Sequence, residues 1–273
     1  MKIFDCFMYF DEDLLLDLRL NILNDYVDKF IILESELTHT GKIKKFKFDI
    51  KKFKKFENKI EYHKLKDFKI DKNLKLKKNW SRFHLIDQSI RNSISNYISE
   101  ASLKDWIIIS DIDEIPNPNL FEKFNEKKKY AFFEQDLFYY KFNLQCISEP
   151  KWYGSRICVK KDLKSPQWLR NIKIKSSKNF FKSIFYNHQI LTQGGWHFTY
   201  IKKPNEIITK LNSFAHNELV KKYMLNEDYI KTKIDNHLDL FERDILLKKV
   251  ELKNNNFPKY LINNREKFKD FIA

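Results

Sequence analysis

Asp105–Pro118 reads DWIIISDIDEIPNP. Trp106–Ile109 is apolar without alternation, the pattern of a strand covered on both faces inside a parallel sheet. The run ends in three acids within four positions, Asp111, Asp113 and Glu114. Pro116 lacks the N–H a central strand needs, so the strand is expected to stop there. In open α/β sheets, ligands bind beyond the carboxyl ends of such strands. The stretch therefore predicts a covered α/β sheet and the edge of it where chemistry sits.

Upstream, Lys2–Phe10 is a short aromatic-rich run that reads as a buried strand. Asp11–Asp13 supply carboxylates for a helix N-terminus, and Leu14, Leu15, Leu18, Ile22 and Leu23 follow at helical spacing. Val27–Glu34 is a second apolar strand, which completes a βαβ unit and makes the first sheet parallel. Lys59–Leu65 reads as a third strand. Trp80–Ala101 is the clearest helix, with Phe83, Ile86, Ile90, Ile94 and Ile98 in one stripe. Downstream, Tyr130–Leu144 and Trp152–Lys161 read as antiparallel aromatic strands, and His188–Tyr200 as a loop entering a strand. Pro204–Leu219, Asp228–Lys248 and Asn264–Ile272 read as helices.

The 273 residues are 42% apolar and 16% aromatic, which excludes a disordered chain. Three cysteines are too few and too scattered for a disulfide framework or a zinc site. No run reaches the roughly 18–20 apolar residues of a membrane span, and the N-terminus does not read as a signal peptide. The expected location is cytoplasmic. The net charge is +15, and +11 of it lies in Lys42–Lys78, with sixteen lysines against five acids. Only seven residues are Arg, the better fork for bases and phosphates. A Lys-rich, Arg-poor excess argues against sequence-specific nucleic-acid readout. It suits instead a peripheral contact with an anionic membrane face, or a plain solvated surface.

Three clusters carry candidate chemistry. Asp111 and Asp113, two apart in extended chain, are expected to face one divalent cation that keeps positions open for diphosphate oxygens; a solvated acidic turn is the plainer account. Gly194–His197 (GGWH) combines a permissive backbone with Trp196, suited to stacking on a sugar, and His197, suited to a metal or a proton. Ser213–Glu218 (SFAHNE) offers His216 and Glu218, which do not share a helical face.

Together these segments resemble glycosyltransferase family 17. The resemblance runs in order through IFDCFMYFDEDLLLDLRLNIL at Ile3–Leu23, FIILES at Phe30–Ser35, and Gln88 with Arg91 and Asn92. It continues through DWIIISDIDEIPNP, Trp152, Gly154, Leu169 and Arg170, to GGWHFTYI at Gly194–Ile201 and KLNSFAHNE at Lys210–Glu218. It implies a GT-A-like, Rossmann-like mixed sheet flanked by helices, with a helical C-terminal tail. Residues 1–116 would form the nucleotide-sugar half, 117–220 the acceptor and catalytic half, and 221–273 the tail of one domain. It also implies a Mn2+- or Mg2+-dependent inverting transfer, expected to move N-acetylglucosamine from a UDP-sugar to a glycan acceptor. Because the chain reads as unanchored and the lysine stretch is foreign to the family, a surface polysaccharide or lipid-linked glycan is the expected acceptor.

By the same resemblance, Asp111, Asp113 and His197 are the expected metal ligands. Glu34, Ser35, Arg91, Asn92 and Asp111 are expected on the nucleotide-sugar side, and Trp196 and Trp152 at the acceptor. Glu218, His216 and Glu114 are candidates for the base, Glu218 first. Two other readings remain: a metal-dependent nucleotidyltransferase, and a non-catalytic basic protein that binds nucleic acid.

Overall fold

The structure is a computed structural model that describes residues 1–67, 69–70, 82–174, 188–213, 219–253 and 255–273. Four parallel strands form the first part of the sheet: β1 (Ile3–Met8), β2 (Lys29–Ser35), β3 (Ile60–Leu65) and β4 (Trp106–Ile109). Their side chains alternate between two covered faces, as the strand period requires. Phe7, Phe30, Ile32 and Ile108 pack on one face with Leu16 and Leu20 of α1 (Asp13–Leu23). Cys6, Ile31, Leu33, Ile107 and Ile109 pack on the other with Ile86 and Ile90 of α2 (Arg82–Asn92). The expected long helix is therefore shorter, and a 3-10 turn at Ser93–Tyr97 carries the stripe onward to buried Ile94.

Beyond β4 the sheet turns antiparallel. Its path is β3-β2-β1-β4-β9-β6-β7-β11, with β9 at Arg156–Val159, β6 at Tyr130–Tyr139, β7 at Leu144–Cys146 and β11 at Leu247–Lys249. One edge of β6 is shared in turn by β9, β8 (Lys151–Trp152) and β7, all antiparallel. Its other edge pairs in parallel with β10 (His188–Thr199).

Three expectations need correction. The glycines at 194 and 195 lie inside strand β10, not in a loop, and mark an irregularity between Leu191 and Gly195. There Gly195 has φ +129, and a side chain on it would strike the carbonyl of Ile115. The segment expected as one helix over Asp228–Lys248 is a helix only at Glu227–Asp235, and Leu247–Lys249 is strand β11. The central strand stops at Ile109, not at Pro116; Glu114–Pro116 is a separate short strand, β5, antiparallel to β10, with Pro116 as its last residue.

Pro166–Asn171 forms α3 and Pro204–Ser213 forms α4. Short helical turns at Lys259–Asn263, Arg265–Phe268 and Lys269–Phe271 close the chain, and Phe257, Leu261 and Phe268 pack against Phe138, Trp196 and Phe198. The result is a mixed α/β sheet flanked by helices, in keeping with a GT-A-like fold. Among the described residues, no helix is long and apolar enough to cross a membrane.

Candidate active site

A cavity of about 810 Å³ opens where β1, β2 and β4 end, bordered by Met8, Ser35 and Asp111. Ser110–Glu114 does not continue the strand. It folds into a turn, with the Glu114 N–H bonded to the Asp111 carbonyl at 3.0 Å. Consequently Asp111 and Asp113 do not project in parallel from an extended chain, and each has its own cations.

Asp111 accepts from Arg91 Nη2 at 2.9 Å and from Arg170 Nη2 at 3.0 Å. Burial pushes its carboxyl up, but Arg170 and Arg91 outweigh that and hold it at about 2. Asp113 faces Lys210 Nζ at 3.3 Å and His197 Nε2 at 3.7 Å. Against its burial, Lys210 and His197 hold its carboxyl well below the usual range. Burial disfavours the Lys210 ammonium, yet Asp113 and Glu12 raise its pKa on balance. His197 is oriented by ring contact with Trp152, centroids 4.9 Å apart. Its Nδ1 is buried without a hydrogen-bond partner.

Glu114 is 1% exposed and its oxygens are occupied. They accept from the Asp111 N–H at 2.8 Å, Trp152 Nε1 at 2.7 Å and both Arg170 Nη atoms at 2.7 and 3.0 Å. A carboxylate has about four acceptor sites, so Glu114 has none left for a substrate proton. Gly154 is required beside it, since any side chain there would overlap the Glu114 carboxylate and the Trp152 indole.

The other expected residues divide. Arg91, Ser35 and Trp152 line the cavity, and Trp152 is 41% exposed. Glu34 does not line it. Its buried carboxylate accepts from the N–H groups of Lys47 and Phe48, from Tyr62 Oη and from Lys44 Nζ, and so ties down the start of the lysine stretch. Asn92 does not line the cavity either; its side chain accepts the N–H of Gln167, which does, at 3.0 Å. Trp196 is turned away as well: its indole donates to the Asn256 carbonyl at 2.7 Å, inside the cluster under the chain's end. Neighbours on a strand point to opposite faces, so Trp196 and His197 do not share one site. His216 and Glu218 lie outside the described residues.

Sequence reasoning missed Arg19. It lies in α1, fully buried, and pairs with equally buried Asp5 of β1 through Nε at 2.7 Å and Nη2 at 2.5 Å. Its remaining donors reach Ser110 Oγ at 2.6 Å and the carbonyls of Glu114 at 2.7 Å and Asp111 at 3.2 Å. One guanidinium thus fixes the backbone of the acidic turn from below. The available signal was scarcity. Of seven arginines, Arg91, Arg156, Arg170 and Arg243 line the cavity and Arg19 holds its turn. Among the described residues, no group of three or more His, Cys, Asp and Glu is arranged to hold a metal ion. Two carboxylate–imidazole pairs line the cavity, Asp87 with His39 at 3.4 Å and, beside the acidic turn, Asp113 with His197 at 3.7 Å.

No curated protein sequence matches the chain. The sequence pattern of glycosyltransferase family 17, however, matches residues 1–272. A cavity with acids, arginines and an open tryptophan at the carboxyl edge of a parallel sheet suits such an enzyme, and a match of this extent shows that the chain belongs to glycosyltransferase family 17.

Proposed function

We propose that the chain is a metal-dependent, inverting transferase that moves N-acetylglucosamine from its UDP-sugar to a glycan hydroxyl. A surface polysaccharide or lipid-linked glycan is the acceptor in this reading. The observation that carries it is the make-up of the cavity floor, where Asp113 and His197 stand beside Arg91, Arg156 and Arg170.

In this reading Asp113 and His197 are the protein ligands of a divalent cation, a pair that no third His, Cys, Asp or Glu joins among the described residues. Asp113 Oδ1 and His197 Nε2, 3.7 Å apart, supply one carboxylate and one imidazole, and Mn2+ or Mg2+ commonly takes its other ligands from phosphate and water. When bound, such an ion neutralises charge on a departing diphosphate. The chain's own residues do the rest. Arg170 and Arg91 present fixed guanidiniums on the phosphate side. The exposed face of Trp152 offers a platform for the apolar face of a sugar ring. Glu218 is proposed as the base that takes the acceptor proton. Attack on the anomeric carbon from the face opposite the diphosphate inverts its configuration. The lysine stretch is proposed to dock on an anionic membrane surface near the acceptor.

The test is a screen of UDP- and GDP-sugars with Mn2+, reading nucleotide release and acceptor glycosylation. UDP release with UDP-N-acetylglucosamine, abolished by chelator and restored by added Mn2+, is the expected result. Full turnover in excess chelator would overturn the metal mechanism. Turnover confined to GDP-sugars would overturn the donor.

A further inference from the structure

Four arginines line the cavity, and three of them have carboxylate partners. Arg91 pairs with Asp87 and Asp111, Arg170 with Asp111 and Glu114, and Arg243 with Asp239. Among the described residues, Arg156 has no carboxylate at ion-pair distance. Its Nη1 donates to the Leu169 carbonyl, its guanidinium lies over the Phe132 ring at 4.8 Å, and its Nε is buried without any partner. Burial first, and then the neighbouring Arg170, push its pKa down to about 9, further than the charges of Glu114 and Asp111 pull it back up.

Its place in the sheet is specific. Arg156 in β9 is paired with Ile109, the last residue of β4, and so stands at the mouth of the acidic turn. A half-buried guanidinium without a counter-ion is costly to keep. The cost is offset where a ligand brings the missing charge, and phosphate matches the guanidinium fork.

We propose that Arg156 is the diphosphate-gripping residue of the cavity, an anion seat that takes the phosphates of the nucleotide sugar between itself and Arg170. The proposal rests on the reading of the chain as a nucleotide-sugar transferase. It assigns the charge partner of Arg156 to the substrate. The empty protein therefore keeps a strained cation that the complex relieves. Lysine at this position keeps the charge but loses the fork.

The experiment titrates wild type, Arg156→Lys and Arg156→Met with UDP, GDP, uridine and inorganic pyrophosphate in chelator, so that no metal contributes. Melting temperatures of the empty proteins are read alongside. Arg156→Met is expected to lose about tenfold or more in UDP and pyrophosphate affinity, to leave uridine unchanged, and to melt at or above wild type. Arg156→Lys should fall between. Unchanged UDP affinity in Arg156→Met overturns the proposal, as does an equal loss for uridine, which would make Arg156 a structural support. Arg156-dependent pyrophosphate binding in a wild type that ignores UDP and GDP would uphold the anion seat and overturn the nucleotide reading. Binding of neither anion by wild type would overturn the seat itself.

Discussion

Lys47 and Lys52 reach over the rim to Asp11 and Asp13, both lysines about half exposed. Asp111, Asp113 and Glu114 are ringed by cations inside the cavity. The first region belongs to the stretch that holds most of the chain's net positive charge, and the second is an acidic patch that is locally neutralised. At the rim, each pair is wet and worth little. In the turn, Asp113 and Glu114 are desolvated, Asp111 is about one-third exposed, and partners fix the direction of each. The chain's +15 is thus a poor guide to its site. The positive groups that shape the cavity are mostly the scarce arginines, at positions a charge count does not single out.

The contrast breaks most visibly at Arg19. Arg19→Met strands a buried Asp5 and frees three acceptors around the turn. Losing one partner of a buried pair costs about 3–5 kcal/mol, so chemical denaturation should show a variant near or past unfolding at 37 °C. Ser110→Ala removes one of the same bonds and should cost about 1 kcal/mol, leaving a folded protein in which turnover can be measured. If Arg19→Met is as stable as wild type, the turn is not held from below.

Asp113→Asn comes next. It keeps shape and burial, removes the charge that faces Lys210 and His197, and should reduce transfer on the order of a hundredfold or more, with circular dichroism unchanged. Activity within a few fold of wild type would place the chemistry elsewhere in the cavity.

Much of this region was legible before the structure. Apolar runs, broken in β1 only by the buried Asp5, marked β1, β2 and β4, because strands covered on both faces have no polar side to interrupt them. The carboxyl edge then followed from the direction of β4. The arginine cage did not follow. Its members come from α1, α2, β9 and α3, up to about 150 residues apart in the chain, and only folding brings them to one turn. Parity along β10 was legible and would have separated Trp196 from His197, had that segment been read as strand. The role of Glu34 depended on the path of the backbone at Lys47 and Phe48, which no local pattern encodes.

A pH titration sharpens the same contrast with a smaller effect. Asp111 sits at about 2 in the folded chain against about 3.9 unfolded. Its contribution is therefore complete above about pH 4 and is lost as pH falls toward 2. Its side chain is 36% exposed, so solvent screening cuts the contribution to about 1 kcal/mol. Denaturation should be flat in this respect from pH 7 to 5 and steepen below 4, less so in Asp111→Asn. Identical acid limbs would show that Arg91 and Arg170 do not stabilise the Asp111 carboxylate.

The smallest effect on catalysis is expected at the lysines. Lys45, Lys51 and Lys66 are exposed and, among the described residues, make no ion pair. Replacing all three by Gln removes three charges and no packing, so stability should stay within about 0.5 kcal/mol. Turnover on a soluble acceptor should stay within about twofold, because the substitutions lie outside the cavity and salt screens exposed charges beyond about 10 Å. Membrane docking predicts a different response in a different assay. Each lysine near an anionic surface contributes about 1 kcal/mol, so co-sedimentation with vesicles rich in phosphatidylserine should weaken about a hundredfold. If the triple variant sediments like wild type, these lysines form a solvated face and no docking surface.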